Sequence, residues 1–414
     1  MMNRLFIGRS CAAFRIAVGT VMSSVAACGG AGSGSASGAS GGGGPPAVYA
    51  YVASANVGNG AVPGAVFQYS IGSDGSVAPL SITSVPSGVT PKAVASDPSG
   101  RYVYVANEGD ATISQYAVGA DGGLVALSPA VVPIAGFQFA GYTVSIDPGG
   151  KFLYVVASPR DPAGPSATIA QYSIQSDGTL ASLAQAYLNL SVFASGSLAI
   201  DSSGLYAYLP GAASASGGLV SQFSINSDGT LTPLTPATIA ATQGTIAVTI
   251  APNGQTAYVI STCIDSACNG QIARYTIGAN GTLTPTGVVT LTGTHVNPFE
   301  AVTDDSGSSL YLLTNAMGVD TNAGAVYQYA VDSTGALAAD TPASLNVASG
   351  AVAESINRNN LYALSANAIG FVSGQPPGGH IDHYVIGSGG LLTKVGTTTV
   401  TGSLPTSMTL VVAH

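Results

Sequence analysis

Glutamate and histidine are rare in this chain, so they are the first place to look for chemistry. Its 414 residues hold Glu at only 108, 300 and 354, and His at only 295, 380, 383 and 414. A carboxylate beside bound water can act as a general base, and a nearby ammonium can hold a developing oxyanion. Glu300 lies in Pro298-Phe299-Glu300-Ala301-Val302 and Glu354 in Ala351-Val352-Ala353-Glu354, both of which read as short strands. Lys92 follows Pro91 at the corresponding place of another such strand. Buried Glu is costly without a partner. Glu108, Glu300 and Glu354 are therefore the candidate bases, with Lys92 as their electrostatic partner. His295, in the segment leading to Glu300, is a further candidate. The plainer alternative is a water-filled channel that tolerates these charges.

Other clusters carry less. In His380-Ile381-Asp382-His383 adjacent strand positions face opposite ways, so Asp382 and His383 do not converge. The Ser-Asp-Gly triplets at Ser73, Ser176 and Ser227 suit calcium by composition, but hairpin turns demand Asp and Gly for backbone reasons alone. Residues 47–414 contain no Gly-x-Ser-x-Gly, no Gly-x-x-x-x-Gly-Lys and no His-Glu-x-x-His. No metal or cofactor is expected.

The elements that must position these residues repeat along the chain. In Asp97–Leu127, Asp97-Pro98-Ser99-Gly100 is turn chemistry. Tyr102-Val103-Tyr104-Val105 is a strand by composition, and Ile113–Val118 is a second. Asp121-Gly122 marks a tight hairpin, and Leu124–Leu127 returns as an edge. The mark at the centre of the third strand recurs as Gln68-Tyr69, Gln115-Tyr116, Gln171-Tyr172, Gln222-Phe223, Arg274-Tyr275, Gln328-Tyr329 and His383-Tyr384. Successive aromatic positions differ by 47 to 56 residues. Seven all-strand repeats with a period near 50 predict an all-β, seven-bladed β-propeller of four-stranded blades.

The ends complete the count. The Asp-Pro-Ser-Gly type of turn occurs at Asp97, Asp147, Asp201, Ala251, Asp305 and, degraded, at Asn357, while the first copy starts directly at its second strand, Tyr49-Ala50-Tyr51-Val52. Pro405–Val412 matches Pro91–Asp97 in register, so the C-terminal strand is expected to complete the first blade and remove open sheet edges.

Residues 1–27 read as a targeting segment, with Arg4, Arg9 and Arg15 ahead of an apolar Ile16–Ala27. Val25-Ala26-Ala27-Cys28 resembles the bacterial lipoprotein signal, which implies lipidation of Cys28. Gly29 after it implies the outer membrane. Ordinary secretion by cleavage near Ala27 is the alternative. Residues 28–46 form a Gly/Ser-rich tether whose r.m.s. span is roughly 20–25 Å, and residues 47–414 form the propeller. Removing residues 1–27 takes three of the ten basic residues and none of the nineteen acidic ones, leaving a net charge of −12. Seven cations cannot neutralise a phosphate backbone, so nucleic acid is excluded as a partner. The membrane is reached by the lipid anchor only, and a monomer is expected. Cys263 and Cys268 are expected to pair as a disulfide in an oxidising compartment.

The repeat as a whole, with Tyr102-Val103-Tyr104-Val105-Ala106-Asn107-Glu108 and Gln-Tyr followed by Asp-Gly, resembles the lactonase-like seven-bladed propeller family, known for 6-phosphogluconolactonase. That resemblance implies a lactonase-type carboxylic ester hydrolase. The family's enzymes carry Pro-Arg-His at the start of a channel strand and an acid after an Asn. Asn107-Glu108 matches the second feature. Pro91-Lys92-Ala93, Pro298-Phe299-Glu300 and Pro405-Thr406-Ser407 all lack the Arg-His pair. The sequence alone thus favours an envelope binding or scaffold module, with a protein, glycan or small lactone as partner. The alternative is a lactone or ester hydrolase with a channel-mouth Glu as base.

Overall fold

The computed structural model describes residues 46–55, 63–134, 139–159, 167–214, 217–262, 270–291, 297–315, 324–347, 351–357, 359–367, 378–401 and 404–413. Over these residues the chain forms seven separate antiparallel sheets, the blades of a β-propeller. Blade 2 sets the pattern: Pro91–Ser96 innermost, then Tyr102–Asn107, Thr112–Val118 and Leu124–Pro133 outermost. The other inner strands are Phe139–Ile146, Thr245–Ile250, Asn297–Thr303 and Ala351–Asn357, for blades 3, 5, 6 and 7. In blade 4 the inner strand is broken into Phe193–Ala194 and Ala199–Ile200, both pairing with Tyr206–Ser214. Leu404–Val412 is the inner strand of blade 1, paired with Val48–Ala55 so that Val48 lies opposite Val412. The ring closes as the repeat count requires.

Every inner strand runs from one face of the ring, the mouth face, to the other, the turn face. The Asp-led turns and the tight hairpins lie on the turn face. Asp97 Oδ1 accepts the N–H of Arg101 and of Tyr102 at 2.8 and 2.6 Å. In blade 6 the equivalent residue is Asp304, which accepts the Ser309 N–H at 2.8 Å, so Asp305 fills the proline position instead. The hairpin Asp residues are engaged in the same way. Asp74 Oδ1 accepts from both N and Oγ of Ser76, and Asp177 and Asp228 do so from Thr179 and Thr230. These bonds hold all three carboxyls below their usual range. The turn chemistry accounts for the Ser-Asp-Gly triplets.

The core lies between blades. One cluster joins Ala93, Ala95, Tyr104, Ala106 and Ile113 of blade 2 to Val144, Ile146, Leu153 and Val155 of blade 3. The cluster that closes the ring joins Tyr362, Leu364 and Ile381 of blade 7 to Ala50, Val52 and Leu410 of blade 1. Polar links cross the same seams. The hydroxyls of Tyr51, Tyr104, Tyr154, Tyr208, Tyr258, Tyr311 and Tyr362 donate to the carbonyls of Gly122, Gly178, Gly229, Gly281, Gly335, Gly390 and Gly75. These bonds span 2.6–3.1 Å, and each runs from one blade to the hairpin of the next.

The Gln of the repeat forms a second link. Gln115 Nε2 donates to Pro129 O of its own outer strand at 3.0 Å, while its Oε1 accepts the Leu180 N–H of the next blade at 2.7 Å. Gln68, Gln171, Gln222 and Gln328 repeat both bonds. In these five blades four outer-strand residues loop out opposite the Gln, as 127–130 do between the Ser114–Val131 and Tyr116–Ala126 pairs. That bulge supplies the carbonyl. In blades 5 and 7 only Thr286 and Val395 loop out, and there the Gln is replaced by Arg274 and His383.

Replacing Gln115 by Leu would leave the buried Leu180 N–H unsatisfied and free the Pro129 carbonyl on the exposed outer strand. We expect Gln115→Leu to lose roughly 1–3 kcal/mol in urea denaturation. A loss under about 0.5 kcal/mol would show the link to be ornamental.

Candidate functional site

The inner strands share one irregularity. Pro91 pairs with Asn107 and Ala93 with Ala106, so Lys92 is an extra residue, a β-bulge at the mouth end of the strand. The same break puts Thr406, Gly141, Ile246, Phe299 and Val352 in the bulge of blades 1, 3, 5, 6 and 7. Bulges re-aim a side chain out of the regular pleat. Pro91 and Ala93 are buried, whereas the Lys92 side chain is 40% exposed.

Lys92 meets Glu108. The latter follows the second strand of the same blade, with its N–H bonded to Thr90 O at 2.9 Å. Lys92 Nζ lies 3.4 Å from Glu108 Oε2, whose side chain is only 8% exposed. The separation is looser than the roughly 2.7–2.9 Å of a charge-assisted hydrogen bond. Two backbone features flank the pair. Thr90 and Ala111 both have φ near +52°, the only non-glycine residues in that region among the described residues. Such strain persists where surrounding structure enforces it and collects at functional sites. Here the enforcing contacts are visible. Asp110 Oδ2 accepts the Val89 N–H at 3.0 Å and Asp110 Oδ1 accepts from Thr112 Oγ1 at 2.9 Å. Asn107 Nδ2 donates to Thr112 Oγ1 and Ser114 Oγ, both at 3.0 Å, while its Oδ1 is buried without a partner.

The remaining candidates separate. Glu300 is partly buried on the inner strand of blade 6, opposite Leu313 and next to the Phe299 bulge. Glu354 is on the inner strand of blade 7, where its backbone pairs with Ala363. Both therefore lie on channel strands, as expected, but on different blades from the Lys92–Glu108 pair. His295, Cys28, Cys263 and Cys268 fall outside the described residues. Asp382 and His383 have separate partners. Asp382 pairs with Lys394 at 2.9 Å and accepts from Thr397 at 2.6 Å. His383 Nε2 donates to Asn360 Oδ1 at 2.8 Å and its ring stacks on Tyr362, with burial holding the imidazole below its usual pKa. Among the described residues no cluster of three or more His, Cys, Asp or Glu could hold a metal ion.

A second concavity lies on the turn face between blades 1 and 7, a groove of about 570 Å³ lined by Pro46, Gly72, Asp74, Asn359 and Asn360 among others. No residue pattern announces the bulge, since the residue before it is Pro in blades 1, 2 and 6 but Ala140, Thr245 and Ala351 in blades 3, 5 and 7.

Residues 64–191, the segment that contains Lys92 and Glu108, match the family model described as lactonase, seven-bladed β-propeller. No curated protein matches the chain. The periplasmic gluconolactonase of Pseudomonas aeruginosa is similar in structure, with a TM-score of 0.66 at 17% identity over 89% of this chain and 100% of that one. A candidate 6-phosphogluconolactonase from Bacteroides fragilis has a TM-score of 0.67 at 19% identity, covering 88% of this chain and 98% of that one. At these identities the likeness establishes the fold.

Proposed function

We propose that this lactonase-like propeller hydrolyses a neutral lactone or ester at its channel mouth, with Glu108 as base and Lys92 as oxyanion partner. The observation that carries the reading is the Lys92–Glu108 pair, assembled by a bulge and a strained loop at the mouth of the ring. Glu108 would take a proton from water as the oxygen attacks the carbonyl carbon. The Lys92 ammonium would stabilise the tetrahedral oxyanion. Collapse would break the C–O bond, and the departing alkoxide would receive the proton held by Glu108. The acidic body, with seven basic residues outside the targeting segment, favours a neutral substrate over a phosphorylated one.

The envelope is the proposed location, through lipidation of Cys28. Val48 starts on the turn face, opposite Ile71 at the hairpin end, so a tether attached there would direct the mouth away from the membrane. A second reading, a binding module for an envelope protein or glycan, draws support from the mouth-face connections. The one in blade 2 is four residues, 108–111, whereas those at 160–166 and 368–377 are longer.

The test is hydrolysis of neutral and phosphorylated lactones at neutral pH by the mature chain. Glu108→Gln should lower kcat/KM by roughly 10²- to 10⁴-fold, with Glu300→Gln and Glu354→Gln beside it as controls for the other candidate bases. An unchanged rate in Glu108→Gln would overturn its role. No turnover on any lactone would turn the search to capture of a partner.

A further inference from the structure

Large apolar side chains are exposed at few places on the described surface, and two of them are at the channel mouth. Ile82, Val125, Val131, Val288 and Val395 are on outer strands, and Leu205 and Leu391 border turns on the opposite face. Phe299 and Phe193, 43% and 36% exposed, lie near the mouth ends of inner strands instead. Phe299 is the bulge residue of blade 6, in the place that Lys92 fills in blade 2. Ile246 is the bulge residue of blade 5 and is partly exposed. Phe193 pairs with Ala212, the register place of Glu108 on blade 4.

The broken strand of blade 4 is fastened to the bulge of blade 5. Ser195 Oγ donates to Thr245 O at 2.5 Å. Gly196 lies so close to the Ile246 carbonyl that a Cβ there would be 2.0 Å from its oxygen. Phe193, Ile246 and Phe299 therefore lie at the mouth ends of the inner strands of three successive blades, Phe193 further out than the two bulge residues. Across the ring, blades 1 and 2 present Thr406 and Lys92 at their bulges. The mouth thus has a polar side holding the ion pair and, opposite it, an arc whose bulge positions carry no charge, with the partly buried Glu300 next to Phe299.

We propose that this arc is the subsite for an apolar chain, so that the substrate is a neutral lactone or ester carrying an alkyl or aryl substituent. The proposal rests on the hydrolase reading for the position of the reacting carbonyl, beside Lys92 and Glu108. A substituent of several carbons would extend from there across the mouth onto Phe299 and Phe193.

The intact chain, with Phe299→Ser, Phe193→Ser and Glu108→Gln beside it, is assayed on γ-butyrolactone and γ-decalactone. These share a ring and differ by an alkyl chain. The parent chain should favour γ-decalactone by at least about tenfold in kcat/KM, and the ratio should fall about tenfold in Phe299→Ser. Equal kcat/KM for the two lactones, or a ratio unmoved by both Phe variants, would overturn the subsite. If neither lactone is cut, the hydrolase reading fails, and calorimetric binding of γ-decalactone decides the subsite. A Kd raised about tenfold in Phe299→Ser would support it, and no binding to the parent chain would overturn it. Both Phe side chains are partly exposed, so the serine variants should melt with the parent chain.

Discussion

Deleting Leu404–His414 should leave the chain without a cooperative fold, although the deleted segment lies outside six of the seven blades. The strand Leu404–Val412 buries Met408, Leu410, Val411 and Val412 to 3% exposure or less. Four such side chains contribute roughly 6–12 kcal/mol at about 1.5–3 kcal/mol each, against about 5–15 kcal/mol for a whole domain. The strand also carries the seams. Thr406 Oγ1 donates to Ala53 O and to Pro91 O, and Ser96 Oγ and Thr409 Oγ1 share a hydrogen bond of 3.1 Å. Without it Val48–Ala55 becomes an open edge, a template for aggregation. Circular dichroism melting and size-exclusion chromatography read the result. We expect no cooperative transition and self-association. A truncated chain that melts within a few degrees of the parent would show that the ring does not depend on its closure.

Alkaline pH should unfold the protein in one steep step just above pH 10. Burial is the main cause that raises the pKa of Tyr51, Tyr104, Tyr154, Tyr208 and Tyr362, and Tyr258 is pushed up to about 12. Tyr69, Tyr116 and Tyr329 are likewise pushed up to about 12. An unfolded phenol loses its proton near pH 10. The folded groups keep theirs, so above pH 10 the unfolded chain binds fewer protons and stability falls as pH rises. Below pH 10 both states are protonated and the contribution is fully present. For the six donors of the interblade links alone the slope is about −8 kcal/mol per pH unit, comparable to the whole stability. The chain has 19 Tyr and no Trp, so phenolate absorbance near 295 nm reports the tyrosines cleanly. Phenolate absorbance and loss of the β-sheet signal should coincide between about pH 10 and 11. Gradual titration of all the tyrosines with the sheet signal intact would contradict the buried links.

The blades were legible in the sequence because their signals are local. A hairpin demands Asp-Gly or its equivalents, an Asp-led turn precedes the second strand, and the Gln-Tyr pair marks the third. The outer strands run longer than their pattern predicts. Leu124–Leu127 is in fact Leu124–Pro133, since Pro129 and Pro133 look like strand ends and an edge strand tolerates proline. That the Gln side chain bonds within or between sheets is legible, but the partners of the marks are not, because each lies far away in sequence. Tyr104 reaches Gly178, and Gln115 reaches Leu180. For the site, Lys92 stands out by its place after Pro91 and Glu108 by its rarity and its Asn107 neighbour, but their pairing depends on a bulge that no residue pattern announces. Phe299 looked like a strand residue until the bulge exposed it.

The tyrosine links have a direction. Each runs from a phenol on one blade to a carbonyl on the blade that follows, all the way round and across the join between blade 7 and blade 1. Any run of fewer than seven blades must therefore end in a donor without an acceptor and begin with an acceptor without a donor, whichever blades it contains. The points where the described ring begins and ends have no such importance. They meet on the turn face, where the Ala413 N–H bonds to Ala47 O at 2.8 Å. Circular permutation, joining Ala413 to Ala47 and cutting a mouth-face connection, would keep every phenol matched to its carbonyl, whereas excising a single blade could not.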